Sequence, residues 1–453
     1  MKRVNFLFFL FFYLINSLLV LYLLDSVTMW ITFQTHFTLI TLGLIKATKR
    51  KIMSLDLIVW SFKYLFFIFA PIIQIYSNDF PNNLNINTNE INLVNLFLIV
   101  WSTLFMIFRR NTNYEEIDNE TILINNKAVS FVFFVTSLLI TLATFNLFGM
   151  EFFLGLSFWD SYITNSSILL IITIATRAFV YGNLVYRIVN LNKSSFLSWW
   201  LLIFSLAMFF YFISPFNVAR YYLAFIIIAS AYIFFRKKIS SLIVFIALNV
   251  GVFIIFPFLN FFRYGINEVG QIDLFNLAFS QMLELHFDAY ANIIATIQFT
   301  DHIGFQHGKQ LLGSLFFFVP RELWSTKPPH TGELVGNYLI DNGYMNFNNL
   351  ANALPSELYV DFGFLGIIIG PVVMALIINY MEGKVKFNNK LSYAVLLGFI
   401  FYIYRGALMS GFAYYIGTFV ILILLPKTIQ IIVQAFTSKE KIKRKSKPKF
   451  VQL

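Results

Sequence analysis

Four of the five histidines, His286, His302, His307 and His330, fall within one stretch, residues 260–356, together with the run VPRELWSTKPPHTG from Val319 to Gly332. Histidines invite a metal reading. Yet no H-x-x-E-H or HExxH arrangement occurs, and the gap between His302 and His307 has no acidic third ligand at fixed spacing. No metal ion and no cofactor is expected. A single imidazole acting as a general base suits these residues better, because its ordinary pKa lies near working pH. Carboxylates come in two pairs spaced one helical turn apart, Glu284 with Asp288 and Glu357 with Asp361. The first pair could move a proton or could be the solvated side of an amphipathic helix. The second stands at the expected start of a helix that Ser356 can cap, where the positive helix end favours carboxylates.

The elements that must hold these residues follow from composition. The chain has 453 residues, 58% of them hydrophobic and 12% charged, with 57 Phe. That composition excludes an ordinary soluble globular protein. Backbone polar groups in hydrocarbon must be satisfied within the segment, and the alternation of a membrane barrel is absent, so the fold class is all-α and polytopic. With no Cys there is no disulfide framework, thiolate metal site or Cys nucleophile. The net charge of +11 is explained by its sidedness and calls for no nucleic-acid partner.

Apolar runs long enough to cross a bilayer lie near 4–24, 27–45, 55–76, 91–108, 128–148 and 166–189, then 197–214, 218–235, 239–259, 357–380, 391–407 and 412–435. This predicts about 12 transmembrane helices. The domain plan is nine helices in 1–259, a large outer loop in 260–356, three more helices in 357–435 and a basic tail in 436–453. Lys46, Lys49, Arg50 and Lys51 fall on alternate connections with Arg109, Arg110, Arg187, Lys193, Arg236, Lys237, Lys238, Lys384, Lys386 and Lys390. Basic residues stay cytoplasmic, so both termini are expected inside and the large loop outside. The basic tail reads as an anchor at anionic headgroups.

Sidedness leaves eight cations unexplained: Lys63, Arg177, Arg220, Arg263, Lys309, Arg321, Lys327 and Arg405. Lys63 is within snorkelling reach of the cytoplasmic end of its span. Arg177 lies mid-span, where a structural pair and a site role are both open. Arg220, Arg263 and Arg405 share the outer interface. There they could clamp a polyphosphate bidentately or simply anchor helices. Within the loop, polar residues spaced four apart (Asn276, Ser280, Glu284, Asp288, Asn292, Thr296) predict one long helix over 273–299. A second is predicted over 309–318, stopped by Pro320, and a third from an N-cap at Thr331 to 340.

VPRELWSTKPP (Val319–Pro329), NALPSELYVDFGFLG (Asn352–Gly366) and the Arg405–Gly406 pair resemble the O-antigen polymerase family of Wzy type, as does the plan of about a dozen spans with one dominant outer loop. The resemblance implies a GT-C-like, metal-independent glycosyltransferase of the bacterial inner membrane. Such an enzyme polymerises undecaprenyl-diphosphate-linked oligosaccharide repeat units into O-antigen or capsular polysaccharide at the periplasmic face. It further implies lipid-linked glycans and the bilayer as partners, with a chain-length regulator and a flippase alongside. Under that chemistry, Arg321, Arg405, Arg220, Arg263 and Lys327 are the candidates to hold the diphosphate. Glu357, His286 and Asp288 are the candidate bases for the acceptor hydroxyl. An O-antigen ligase shares topology and donor, and a lipid-linked oligosaccharide flippase shares the span count. A flippase is disfavoured by the single asymmetric loop and the lack of an internal repeat.

Overall fold

A computed structural model of the chain describes residues 2–49, 53–110, 127–148, 167–213, 218, 220–236, 238–257, 274–388 and 390–445. All regular structure among them is helical. Helix α1 (Lys2–Leu23) is followed by α2 (Val27–Thr48) and α3 (Leu55–Tyr64). A π-helical turn, Leu65–Phe69, carries α3 on into α4 (Ala70–Ser77). Next come α5 (Thr88–Phe108), α6 (Lys127–Phe148), α7 (Ser167–Val189), α8 (Phe196–Phe212) and α9 (Arg220–Phe235). Helix α10 (Ser241–Val250) ends in a second π turn, Gly251–Ile255. The large loop contributes α11 (Leu274–Gln281), a 3-10 turn at Leu285–Phe287, α12 (Ala289–Ile303), α13 (Lys309–Leu315) and α14 (Thr331–Asp341). The chain closes with α15 (Leu354–Phe362), α16 (Phe364–Asn388), α17 (Lys390–Arg405), α18 (Leu408–Phe419) and α19 (Leu425–Lys445).

Among the described residues, six helices are long and apolar enough to cross a membrane: Val4–Leu23, Leu55–Ser77, Thr88–Phe108, Ala128–Asn146, Phe364–Glu382 and Leu408–Phe436. Four more apolar helices, Phe196–Phe212, Arg220–Phe235, Ser241–Ile255 and Leu391–Arg405, are shorter. The protein is thus a helical one with membrane-spanning character.

The chain forms two compact units. The first comprises Met1–Glu116, Ala224–Phe387 and Leu396–Ala413; the second comprises Ile117–Leu223, Asn388–Val395 and Tyr414–Leu453. In the second, α6 and α7 interlock where Phe133 and Tyr186 rings sit 5.1 Å apart. Asn183 of α7 donates to Ser205 of α8 at 3.0 Å. Arg177 is buried against the Tyr222 ring at 5.5 Å, inside the second unit.

The loop's described part has a core of its own in the first unit. Leu84, Ala295, Phe299, Val335, Tyr338, Leu339, Leu350 and Val360 are buried together. Two glycines let its backbone pass closely. A Cβ at Gly332 would lie 1.9 Å from the Leu350 carbonyl oxygen, and one at Gly336 would lie 2.3 Å from that of Asn348.

Several boundaries differ from expectation. The single long helix over 273–299 is two helices, α11 and α12, broken around the 3-10 turn. Its polar stripe turns inward: Asp288, Asn292 and Thr296 are all buried. Asn292 donates to the Ala351 carbonyl at 2.6 Å and accepts from Asn82 at 3.3 Å, so tertiary partners replace water. The predicted span at 357–380 is split at Gly363, whose φ of +58° only glycine adopts readily, leaving α15 separate from the membrane-length helix α16. Ala353, not Ser356, occupies the N-cap of α15, and the Ser356 hydroxyl bonds back to the Ala353 carbonyl at 2.7 Å. The 309–318 helix stops at Leu315. The third helix is capped by His330, one residue before the expected Thr331. Lys63 does not snorkel; it is fully buried.

Candidate functional site

Glu357, on the first turn of α15, is 3% exposed. Both its oxygens are engaged. Oε2 accepts from the Thr331 hydroxyl at 2.6 Å, and Oε1 accepts from the Leu408 backbone N–H at 2.9 Å. One carboxylate therefore ties the start of α14 and the corner between α17 and α18 to α15. Burial pushes its pKa up to about 7, opposed by the two hydrogen bonds. That places it at the balance point a general acid or base needs. Asp361, one turn on, caps α13: its oxygens accept from the backbone N–H groups of Gln310 at 3.1 Å and Leu311 at 2.7 Å.

Immediately before Thr331 stands His330, whose Nδ1 accepts from the Glu333 N–H at 3.0 Å as a helix cap. An accepting Nδ1 requires the neutral ring, and burial first, then nearby Arg321, holds this imidazole below its usual range. Arg321 is exposed on the turn after Pro320, with Nη1 3.4 Å from the Lys327 carbonyl. The Lys327 ammonium points back into the same turn, donating to the carbonyls of Phe317 at 2.7 Å and Val319 at 2.8 Å. Burial, and secondarily Arg321, lowers its pKa. Lys327 thus closes the turn that presents Arg321. Around it, Leu312, Leu315, Phe316, Phe318 and Leu323 are exposed, Leu323 by 82%. An arginine among exposed apolar side chains suits a phosphate at a membrane surface.

Arg405, at the end of α17, faces the other way. Nε donates to the His286 carbonyl at 3.1 Å, and Nη2 donates to the Leu285 carbonyl at 3.0 Å and to Asp288 Oδ1 at 3.3 Å. Gln74 of α4 donates to the carbonyls of Met282 at 2.8 Å and Phe287 at 3.0 Å. The break between α11 and α12 leaves these four carbonyls outside any α-helix, and one arginine and one glutamine bond them. Burial raises the Asp288 pKa to about 6 against the opposing pull of Arg405. His286 enters this junction through its backbone oxygen.

The candidates named from sequence therefore divide into clusters. Arg321 and Lys327 share one turn, and Arg321 acts electrostatically on His330, the residue before the Thr331 that bonds Glu357; Arg405, Asp288 and His286 form a second group. Arg220 belongs to the second compact unit, and Arg263 lies outside the described residues. Thr331, Gln310 and His330 surround Glu357 but carried no role in the sequence beyond a cap and a histidine; Gln310 Oε1 lies 3.4 Å from the Thr331 hydroxyl. The remaining loop histidines are dispersed: His302 bonds the Gln298 carbonyl at 2.8 Å, and His307 sits at positive φ beside Asp361. Among the described residues no three His, Asp or Glu groups are placed to hold a metal ion.

Comparison with protein-family models, with curated proteins and with solved structures returns no match to this chain.

Proposed function

We propose that this chain polymerises undecaprenyl-diphosphate-linked oligosaccharide repeat units into O-antigen or capsular polysaccharide. In this reading it is a GT-C-like, metal-independent glycosyltransferase with about 12 spans in the bacterial inner membrane. Both termini are cytoplasmic and the 260–356 loop is periplasmic. The observation that carries the reading is Arg321, exposed on an apolar turn, beside the buried carboxyl of Glu357, which bonds Thr331 one residue after His330, whose imidazole feels the Arg321 charge. The sequence motifs resembling the Wzy-type family contain Arg321 and Glu357.

The chemistry assigns each a task. The bond between the donor's anomeric carbon and its diphosphate oxygen breaks, and undecaprenyl diphosphate leaves with the electron pair. Arg321 stabilises the negative charge that develops there. The acceptor hydroxyl oxygen bonds to the anomeric carbon and gives its proton to Glu357, directly or through the Thr331 hydroxyl. Asp288 and Arg405 brace the loop above the membrane rather than meet the phosphate.

The test is the polysaccharide ladder of a deletion strain complemented with variants. Loss of long chains with one repeat unit still on the core supports a polymerase. A core lacking any repeat points to a ligase or flippase instead. Arg321→Ala is expected to lower chain extension roughly a hundredfold at unchanged membrane level, the scale of losing one preorganised charge contact.

A further inference from the structure

Helix α5 and its C-cap residue carry three buried polar residues seven apart, Asn95, Ser102 and Arg109. Seven residues are two turns, so the three share a face, and all three are buried. Each meets polar groups from other helices of the first unit. Asn95 bonds Thr32 of α2 at 3.0 Å and Tyr290 of α12 at 3.1 Å. Arg109 donates to Asp56 of α3 at 2.6 Å and to Glu382 and Asn379 of α16. Ser102, between them, lies 3.2 Å from the Lys63 Nζ of α3 and 3.1 Å from the His36 Nε2 of α2.

The middle tier differs from the other two. Asn95 and Arg109 are locked by fixed donors and acceptors, whereas Lys63, Ser102 and His36 stand in a row in which either end can hold the charge. Lys63 and His36 are fully buried and Ser102 is 1% exposed. The ammonium's other neighbours are the ring faces of Trp60 at 4.3 Å and Phe105 at 4.7 Å, and the carboxylate charge that acts on it is Asp56. On the far side, His36 Nδ1 is buried with no hydrogen-bond partner among the described residues. A lysine in a dry span costs several kcal/mol over an apolar residue of similar volume, so packing alone does not account for it.

We propose that Lys63, Ser102 and His36 form an intramembrane proton-binding site, in which one proton passes between the lysine amine and the imidazole across the serine hydroxyl. In one state the ammonium donates to Ser102 Oγ, and the serine O–H donates to His36 Nε2. In the other, Lys63 Nζ has released a proton to Oγ while Oγ has released its own to Nε2. The imidazolium N–H then donates to Oγ, and the serine O–H donates to the neutral amine. One proton enters and one leaves the hydroxyl, and no heavy atom need move. Of the charged groups near the row, Asp56 favours the lysine state while it also pairs with Arg109, which in turn pairs with Glu382. The neighbouring titratable groups of α3 and α17, Tyr64 and Tyr404, are neutral phenols packed beside the same span.

The full chain labelled with 15N-lysine and 15N-histidine, in lipid bilayers, tests this by solid-state NMR from mildly acidic to alkaline pH. Lys63→Met and His36→Gln assign the signals. The expected result is that the Lys63 and His36 nitrogens lie between their charged and neutral limits and change together with pH. Ser102→Ala, which keeps both titratable groups and is the mildest change to packing, is expected to send both signals to separate limiting values. Limiting shifts for both nitrogens throughout the wild-type titration, or signals unmoved by Ser102→Ala, would overturn the proposal. Either result is readable even where Lys63→Met lowers folding yield.

Discussion

Glu357 is a buried anchor of the loop and Arg405 a half-buried one. Glu357 has its pKa raised by burial to about 7 in the fold, above its ordinary value of 4.5. A raised folded pKa means the native state binds the proton more tightly than the unfolded chain. The stabilisation is fully present below the unfolded value and is lost as pH rises towards 7. Glu357→Gln should therefore flatten the fall of thermal stability with rising pH across that window, leaving the part due to Asp288, and raise stability above neutrality by on the order of 3 kcal/mol at most. The same variant should abolish chain extension, separating stability from activity. Arg405→Ala removes three hydrogen bonds and leaves the Asp288 carboxylate buried without its cation. We expect destabilisation of about 3–5 kcal/mol, read as a fall in membrane level, whereas Arg321→Ala on the exposed turn should leave that level unchanged. At this scale the sequence was partly legible: Arg321 and Glu357 stand out by type and motif. Lys63 was not, because its apparent snorkelling reach says nothing of Ser102, 39 residues away, which holds it in the interior.

At the scale of elements, apolar length made the helical, membrane-embedded character readable, while breaks and faces were not. The Gly363 break depends on one dihedral, and the 281–288 break depends on Gln74 and Arg405 supplying donors from distant helices. The polar stripe of α12 has the spacing of a wet face, yet Asn82, Ala351 and Asn352 meet it from other segments. Helix α13 is the clearest dependent element. Its seven residues are too few to hold a helix alone, and the Asp361 carboxylate caps its first turn. Asp361→Ala should cost about 1–2 kcal/mol locally. Amide hydrogen exchange at Gln310 and Leu311 is expected to speed up while the spans stay protected; unchanged protection there would show that α13 does not depend on the cap.

For the whole molecule, the sidedness of Lys and Arg is the part of the account with the widest reach, since the proposed periplasmic position of the Arg321 turn rests on it. The absence of Cys makes this directly measurable. Leu323→Cys, at a highly exposed site, should react with a membrane-impermeant maleimide in intact spheroplasts, and Lys49→Cys only after lysis. The reverse pattern would invert the topology and remove the loop from the periplasm. The central claim concerns chemistry, and its most direct measurement is a reconstituted one: purified chain in proteoliposomes with undecaprenyl-diphosphate-linked repeat units, products resolved by length. The account predicts lipid-linked chains of many repeats with undecaprenyl diphosphate released for each bond formed, both formed roughly a hundredfold more slowly with Arg321→Ala and not formed with Glu357→Gln. Repeat units that remain single with the wild-type chain, or extension that proceeds equally well in both variants, would contradict it.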